Sequence, residues 1–234
     1  MKQISTKTAL LVYAISPRIQ AEKKALLGSV NFLKSLELFE KLQENTRQIA
    51  NESGLETFWI FDEKQEGKTF GERYAKAFSE LFHQGYDQVI SIGNDIPGLE
   101  VAHLLEAEVK LQNSSTILGP AEDGGNYLIA LSKWEFDEAT FSQLPWNTNK
   151  LHQAIKALFQ SRKGSVFQLE YLIDIDDFHS LTRFKNGLKS GDFFTFLHEL
   201  LRSILEFFEK DPQFFTGSIP SKDHPLRAPP SFYF

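Results

Sequence analysis

The sequence contains no cysteine, which excludes disulfide bonds, a thiol nucleophile and any cysteine-based zinc site. Its six histidines are scattered and include no His-x-x-x-His pair, so a histidine-based metal site is not expected. Two common motifs are also missing, the Gly-x-Ser-x-Gly elbow of many hydrolases and the phosphate-binding Walker loop. These absences remove several classes of enzyme before any fold is considered.

The chain also lacks an excess of positive charge and a long apolar run. Lys and Arg total 25 against 31 Asp and Glu, and the net charge of −6 argues against a nucleic-acid partner, because such proteins present a basic patch. No apolar run approaches the roughly 20 residues of a membrane helix, so no membrane span is expected. The N-terminal segment has a short apolar stretch without a small-residue cleavage site, and we therefore expect a cytoplasmic protein.

Apolar segments of two kinds alternate along the 234 residues. Short runs such as Ala9 to Ile15 and Asp87 to Gly93 predict strands. Two segments, from about Glu22 to Glu52 and from Gly67 to Gly85, have their apolar residues at helical spacing and predict helices. With 41% hydrophobic and 24% charged residues, the composition is that of a globular chain. The alternation predicts an α/β domain with a mainly parallel central sheet and helices on both faces.

The segment from Asp192 to Lys210 predicts a strongly amphipathic helix. Its apolar stripe consists of Phe193, Leu197, Leu200, Leu201, Ile204 and Phe208. The stripe either packs on the sheet domain or forms a homodimer contact, since exposed aromatic stripes mark interfaces. We predict an α/β domain over residues 1–184, with the helix and an aromatic, proline-rich tail over residues 185–234 packed on the same domain. The tail, from Pro212 to Phe234, is too apolar for a free linker.

The stretch ILGPAEDGGNYLIALS, residues 117–132, reads as a strand, a tight acidic loop and a second strand. Two acids, Glu122 and Asp123, precede Gly124 and Gly125. The glycines allow a positive φ and the close approach of a ligand, and the acids can hold a metal or sugar hydroxyls. The same letters also fit a hairpin in which Asp-Gly-Gly is only turn chemistry.

A second stretch, DQVISIGNDIPGLE at residues 87–100, ends a buried strand with a carboxylate, Asp95. Open α/β sheets bind ligands beyond the carboxyl ends of their strands, so Asp95 is a candidate site residue. It is equally a candidate for the N-cap of the following helix, a position that Asp favours.

Five motifs follow one another along the chain: LLVYAISPR (10–18), IGNDIP (92–97), GPAEDGGNYLIAL (119–131), WNT (146–148) and DIDD (174–177). This series, which covers roughly residues 8 to 184, resembles a family of bacterial proteins with the glycosyltransferase-A, or nucleotide-diphospho-sugar transferase, fold. The family's members are largely uncharacterised, and it is related to the molybdenum-cofactor and phospholactate guanylyltransferases. The GPAEDGG block is the specific part of the resemblance.

The resemblance implies transfer of a glycosyl or nucleotidyl group from a nucleotide or nucleotide-sugar donor. It further implies a Mg²⁺ or Mn²⁺ ion, which such reactions use to balance charge at a diphosphate. Asp95 is the expected metal ligand, and Asp123 with Asp176 or Asp174 supplies a second carboxylate or a catalytic base. The expected substrate-binding residues are Arg18, Lys23, Glu122, Gly124, Gly125 and Trp146.

One motif departs from the family pattern. The family's first strand is followed by Pro-Gly-x-Val-Lys-Thr-Arg-Leu, whereas this chain has IQAEKKAL at residues 19–26. A loop that cradles phosphates needs backbone N–H groups, glycine and cations, and here Gln20 and Ala25 replace the glycine and the arginine. We therefore expect weak nucleotide affinity. A non-catalytic ligand-binding or scaffold protein on the same fold is the alternative function.

Overall fold

A computed structural model describes residues 6–24, 32–114, 116–161, 165–176, 178–187 and 192–210. The chain divides into two compact units, Met1–Ser16 with Leu42–Asp174 and Pro17–Lys41 with Ile175–Phe234. The whole sheet belongs to the first unit. The predicted boundary between residues 184 and 185 stays a prediction.

Six strands form one sheet: β1 Thr8–Tyr13, β2 Glu56–Ile60, β3 Gln88–Ile92, β4 Thr116–Pro120, β5 Asn126–Ser132 and β6 Val166–Gln168. Their order across the sheet is β2-β1-β3-β5-β4-β6. Strand β5 runs antiparallel to both of its neighbours, and the other adjacent pairs are parallel. Five strands thus point the same way, which confirms the predicted mainly parallel α/β sheet.

The helices are α1 Pro17–Lys23, α2 Phe32–Ser53, α3 Phe70–His83, α4 Val101–Leu111, α5 Glu138–Ser142, α6 Leu151–Ser161, α7 Phe178–Gly187 and α8 Asp192–Lys210. The sequence predicts one long helix from about Glu22 to Glu52, but two helices, α1 and α2, occupy this part of the chain. Pro17 accounts for the early start of α1, because its ring presets φ for the first helical position.

Strand β1, which lies between β2 and β3, is buried on both of its faces within the first unit. Ala9 and Leu11 point into a core that includes residues of α3 and α6, and Leu10 and Val12 point into a core that includes residues of α2 and α4. Successive side chains of a strand alternate between the two faces of the sheet. Burial on both faces explains why this strand appears in the sequence as an uninterrupted apolar run.

An aromatic cluster joins α3 to α5. The Trp146 ring lies 5.2 Å from that of Tyr74 and 5.0 Å from that of Phe141, measured between ring centroids. Gly71 allows this packing, because a Cβ atom there would lie 2.0 Å from the Ser142 carbonyl oxygen. The close approach of α3 and α5 therefore depends on a glycine inside a helix.

The second unit contains α8, whose bounds match those of the predicted amphipathic helix. Leu197, Leu200 and Leu201 of its apolar stripe are buried, and α8 packs against α7. A dimer contact through this helix stays a prediction, and the predicted packing of the tail concerns residues outside the described ones. Within the described residues, no helix combines the length and the apolar character needed to cross a membrane.

The substitution Gly71→Ala tests the α3–α5 contact. Alanine ordinarily stabilises a helix relative to glycine, but here we expect a loss of about 1–3 kcal/mol in the free energy of unfolding, because the new methyl group overpacks the interface. Urea denaturation measures the change. Glu80→Ala, on the exposed face of the same helix, is the matched control and should change stability by less than about 0.5 kcal/mol. Equal or greater stability of Gly71→Ala would contradict the packing argument.

Candidate functional site

The carboxyl ends of β3 and β4 lie on either side of the start of β5. Ile92 pairs with Leu128, and Pro120 pairs with Asn126. The loops that follow β3 and β4 therefore leave the sheet at the same edge. This arrangement places Asp95 and Asp123 at one edge of the sheet, as the sequence predicts for a ligand site.

Asp95 does not cap the helix that follows it. Helix α4 begins at Val101, and its N-cap is Glu100, whose N–H donates to Nδ1 of His103 at 2.9 Å. The preceding Asn94 side chain exchanges hydrogen bonds with the backbone of Ile15, accepting from its N–H at 3.4 Å and donating to its carbonyl oxygen at 3.0 Å. The N-cap interpretation of Asp95 is thus excluded for α4, and its role as a metal ligand stays a prediction.

The acidic loop after β4 is a tight turn held by its own backbone. Asp123 Oδ1 accepts the Gly125 N–H at 2.7 Å, and the Gly124 N–H donates to the Ala121 carbonyl oxygen at 3.2 Å. Gly124 has φ +93°, and a Cβ atom there would lie 2.3 Å from the Asn149 carbonyl oxygen. The glycine is therefore required by the turn and by a neighbouring backbone, independently of any ligand.

A continuation of β6 brings a second aspartate to this loop. Beyond Gln168 the chain stays beside β4, with the Leu172 N–H donating to the Pro120 carbonyl oxygen at 3.2 Å and the Glu122 N–H donating to the Leu172 carbonyl oxygen at 3.2 Å. As a result, carboxylate oxygens of Asp123 and Asp174 lie within 4.8 Å of one another.

Two carboxylates this close repel unless a cation or a proton compensates them. Oxygen ligands from carboxylates are those that Mg²⁺ and related hard cations prefer. The exposed Asp123 and the partly buried Asp174 thus have the donor chemistry for such an ion.

Two side chains hold this continuation of β6 in place. The Tyr127 hydroxyl donates to the Glu170 carbonyl oxygen at 3.1 Å, and burial raises the pKa of Tyr127, so the hydroxyl keeps its proton at neutral pH. His103 Nε2 lies 2.8 Å from Glu170 Oε1. Because Nδ1 of His103 accepts the Glu100 N–H, Nε2 must carry the proton and donate it to Glu170. The sequence gives no sign of the pairing of His103 with Glu170, since 67 positions separate them.

The predicted phosphate-binding cations lie in the second unit, on α1. Arg18 forms an exposed ion pair with Glu22, with Nε 3.1 Å from Oε1. The segment expected to be a loop is helical as far as Lys23, and Gln20 is buried in this helix. Ala25 lies outside the described residues. Lys24, which follows Lys23, lies with Nζ 2.6 Å from Oδ1 of Asp176, a predicted catalytic carboxylate. Lys24 is not among the residues predicted from the sequence.

The remaining predicted substrate-binding residues belong to the first unit. The Trp146 indole N–H donates to the Phe141 carbonyl oxygen at 2.9 Å, and its ring packs in the aromatic cluster. Glu122 is exposed, and its backbone helps to hold the continuation of β6. Two sets of predicted roles stay predictions. They are catalysis by Asp123 and Asp176 and substrate binding by Arg18, Lys23, Glu122, Gly124, Gly125 and Trp146.

Comparisons with known proteins support the family resemblance. Residues 40–148 match the profile of a bacterial family described as "Uncharacterized protein conserved in bacteria (DUF2064)". A crystal structure from Desulfovibrio desulfuricans G20, described as a "putative nucleotide-diphospho-sugar transferase", is 23% identical and has a TM-score of 0.75, with 88% of this chain and 98% of that chain covered. The chain therefore has the nucleotide-diphospho-sugar transferase fold. The family match confirms the resemblance to this bacterial family.

Weaker similarities extend to two further solved structures. Rv0371C of Mycobacterium tuberculosis H37Rv, in complex with manganese, is 11% identical with a TM-score of 0.43, with 78% of this chain and 100% of that chain covered. A cytidylyltransferase from Leptospira borgpetersenii is 12% identical with a TM-score of 0.41, with 92% of this chain and 99% of that chain covered. No curated protein matches the sequence.

The substitution Gly124→Ala tests whether the glycine pair serves the fold. We expect a loss of about 2–4 kcal/mol in the free energy of unfolding without any ligand, from the positive φ and from the clash with Asn149. Gly125→Ala is the matched control, because Gly125 has no positive φ and the three atoms nearest to an added Cβ all belong to the Asp123 carboxylate, with Oδ1 at 3.0 Å. Denaturant titration of both variants measures the difference. Similar losses in the two would count against a specific role for Gly124.

His152 should make stability depend on pH. Its ring is buried between Asn126 and Gln168, and burial lowers its pKa from the ordinary value. The unfolded chain then binds the proton more readily than the folded one, so the stabilisation is complete above about pH 6.5 and is lost as the pH falls toward the folded-state pKa. Unfolding of wild type and His152→Gln between pH 7 and 5 isolates this effect. A stability difference between them that stays constant with pH would refute it.

Proposed function

We propose that this protein is a transferase that acts on a nucleotide-activated substrate and moves a glycosyl or nucleotidyl group with the help of Mg²⁺ or Mn²⁺. The observation that supports the proposal most directly is the pair of carboxylates, Asp123 and Asp174, with oxygens within 4.8 Å of one another. The pair lies at the carboxyl edge of the sheet, where open α/β sheets bind their ligands.

The charge of the carboxylate pair fits the chemistry. Both transfer reactions develop negative charge at a diphosphate, and a divalent cation bridging carboxylates and phosphates stabilises that charge. The Gly125 N–H fixes the orientation of the Asp123 carboxylate, and the strand-like backbone pairing at Leu172 fixes the position of the segment that leads to Asp174. Such preorganised ligands cost little further ordering when an ion binds.

The remaining predicted residues have distinct roles in this proposal. Asp95, across the start of β5 from Asp123, is a further metal ligand. Asp176 is a candidate base toward an acceptor hydroxyl. Arg18 and Lys23 are candidate contacts for the phosphates, where an arginine makes a forked, charge-assisted contact.

A ligand-binding or scaffold protein without catalysis is the second candidate function, and two observations favour it. Gly124 has a structural reason in the approach of the Asn149 backbone, so its presence does not require a ligand. Residues 19–23, which match the phosphate loop of the family, are helical, so their backbone N–H groups do not form a loop around a phosphate.

Asparagine substitutions at the edge of the sheet test the proposal. We expect Mn²⁺ with a nucleotide or nucleotide sugar to raise the melting temperature of the wild type, because a ligand present at about 100 times its Kd stabilises the folded state by about 2.7 kcal/mol. Asp174→Asn and Asp123→Asn should abolish the Mn²⁺-dependent part of the rise in melting temperature. Asp95→Asn should abolish it as well, because Asp95 is proposed as a further metal ligand. A thermal-shift screen with and without Mn²⁺ measures these changes.

Asp137→Asn is the matched control. It removes one carboxylate but keeps the N-cap of α5, since Asn and Asp cap about equally well, and it should retain the full Mn²⁺ effect. Full stabilisation of Asp174→Asn by Mn²⁺ would rule out the carboxylate pair as the metal site. If no nucleotide or nucleotide sugar stabilised the wild type, the scaffold function would be favoured.

A further inference from the structure

Arg73, in the first turn of α3, is a partly buried cation of the first unit that forms no ion pair with an acid among the described residues. Its Nη1 donates to two backbone carbonyl oxygens, those of Gly67 at 3.4 Å and Lys68 at 3.5 Å. Both distances are longer than the usual N–H···O distance of about 2.9 Å. A guanidinium with five donors that is held this weakly keeps most of its capacity to bind an anion.

The carboxylates closest to Arg73 in the sequence have other partners. Glu72 Oε2 accepts the N–H of Lys68 at 2.7 Å and that of Thr69 at 3.2 Å, as part of the capping box of α3. Glu66 forms an ion pair with Lys76. The N–H groups of Lys68 and Thr69 are thus used by the cap, so an anion at this place would bind the side chain of Arg73.

The Tyr13 hydroxyl is a second donor beside Arg73. Tyr13 ends β1, and its ring packs against Phe70 and Tyr74 of α3, with centroids 5.8 Å and 4.7 Å away. The hydroxyl oxygen is buried and has no hydrogen-bond partner within the part of the chain that the structure describes. Burial raises the pKa of Tyr13 to about 12, which the nearby Arg73 charge partly offsets, so the hydroxyl keeps its proton at neutral pH. An enclosed donor without an acceptor is unfavourable, and an anionic oxygen would satisfy it.

These two donors lie at the same edge of the sheet as the candidate metal ligands. Val12 of β1 pairs with Ile92 of β3, so the two strands end side by side. The Asp95 carboxylate, which follows β3, lies close to Gly93, where an added Cβ atom would be 3.0 Å from Oδ1. A divalent cation held by carboxylates ordinarily bridges them to substrate phosphates. Phosphates bound at this edge are therefore near the strand end that carries Tyr13.

We propose that Arg73 and Tyr13 form an anion site for the diphosphate of the activated substrate. The inference rests on the proposed function, which supplies the substrate class. The guanidinium offers a forked, charge-assisted contact to phosphate oxygens, and the hydroxyl adds a further bond. Because the hydrogen bonds of Arg73 to the preceding loop are long, its side chain can turn toward a phosphate at little cost, and this turn opens the Tyr13 hydroxyl to the same anion.

The substitution Arg73→Gln tests the contribution of the charge. Titration calorimetry with inorganic pyrophosphate, in the absence of divalent metal, should show binding by the wild type and at least about tenfold weaker binding by the variant, because a charge-assisted contact is lost. Arg47→Gln is the matched control. It removes another guanidinium from the same unit, 5.0 Å from the centroid of the Trp59 ring, and should leave the affinity unchanged. Equal losses in the two variants, or no pyrophosphate binding by the wild type, would overturn the proposal.

The substitution Tyr13→Phe separates binding from a structural role. It keeps the ring that packs on α3 and removes a hydroxyl without a partner, so the free energy of unfolding without ligand should not fall. The affinity for pyrophosphate should fall by about tenfold, because a bond to a charged group is lost. Lower stability with unchanged affinity would overturn the proposal. This test remains available if Arg73→Gln fails to fold.

The source of the anion is tested by competition. A nucleoside diphosphate should displace pyrophosphate from the wild type, since both present a diphosphate. Failure of ADP, CDP, GDP and UDP alike to displace it would overturn the assignment to the activated substrate.

The outcomes also separate this inference from the proposed function. Unchanged pyrophosphate binding by Arg73→Gln, together with a Mn²⁺ effect that depends on Asp174, would overturn the inference and leave the function standing. Weakened binding by Arg73→Gln without any Mn²⁺ effect on the wild type would support the inference and overturn metal assistance.

Discussion

The antiparallel pairing of β5 with β3 on one side and β4 on the other decides where the candidate residues lie. Because β5 runs against its neighbours, the strand that starts at Asn126 begins where β3 and β4 end. The loop with Asp95 and the loop with Asp123 therefore emerge next to the same strand terminus. If β5 were parallel to β4, a crossover connection would have to replace the turn that now contains the acidic loop.

The residues of the acidic loop after β4 are explained in part by the structure of the turn and in part by the chemistry of its carboxylates. Turn hydrogen bonds and the contact with Asn149 account for Gly124, and the N–H of Gly125 accounts for the orientation of Asp123. These contacts do not explain why a second carboxylate, that of Asp174, should approach the first. That approach is unfavourable for the apo protein unless the charge is compensated. The carboxylate pair is therefore the part of this loop that turn geometry does not explain.

The sequence predicts the parts of the fold that depend on local pattern. The strands β1 and β3 and the helices α3 and α8 follow from apolar periodicity, and their observed bounds differ from the expected ones by at most a few residues. The five-residue helix α5 is too short to establish such a periodicity. Residues 19–23 are helical, whereas their resemblance to a loop of the family predicts a loop. The side chains there, including the buried Gln20, are compatible with a helix.

The candidate site is predictable only in part, because chain order does not determine which charges meet. Sequence motifs bring Asp95, Asp123 and Asp176 to attention, but the partner of each depends on packing between distant segments. The strand-like pairing of residues 169–172 with the end of β4 places Asp174 against Asp123. Lys24 pairs with Asp176 in the other unit.

The carboxylates of Asp174 and Asp176 belong to different units, and local packing determines which charge each of them meets. In the second unit, the Lys24 ammonium lies 2.6 Å from Asp176 Oδ1. In the first unit, carboxylate oxygens of Asp123 and Asp174 lie within 4.8 Å of one another. Carboxylates at this distance stay ionised together only with a compensating positive charge, and hard divalent cations prefer such oxygen ligands. This preference is the physical basis on which the proposed metal assistance rests.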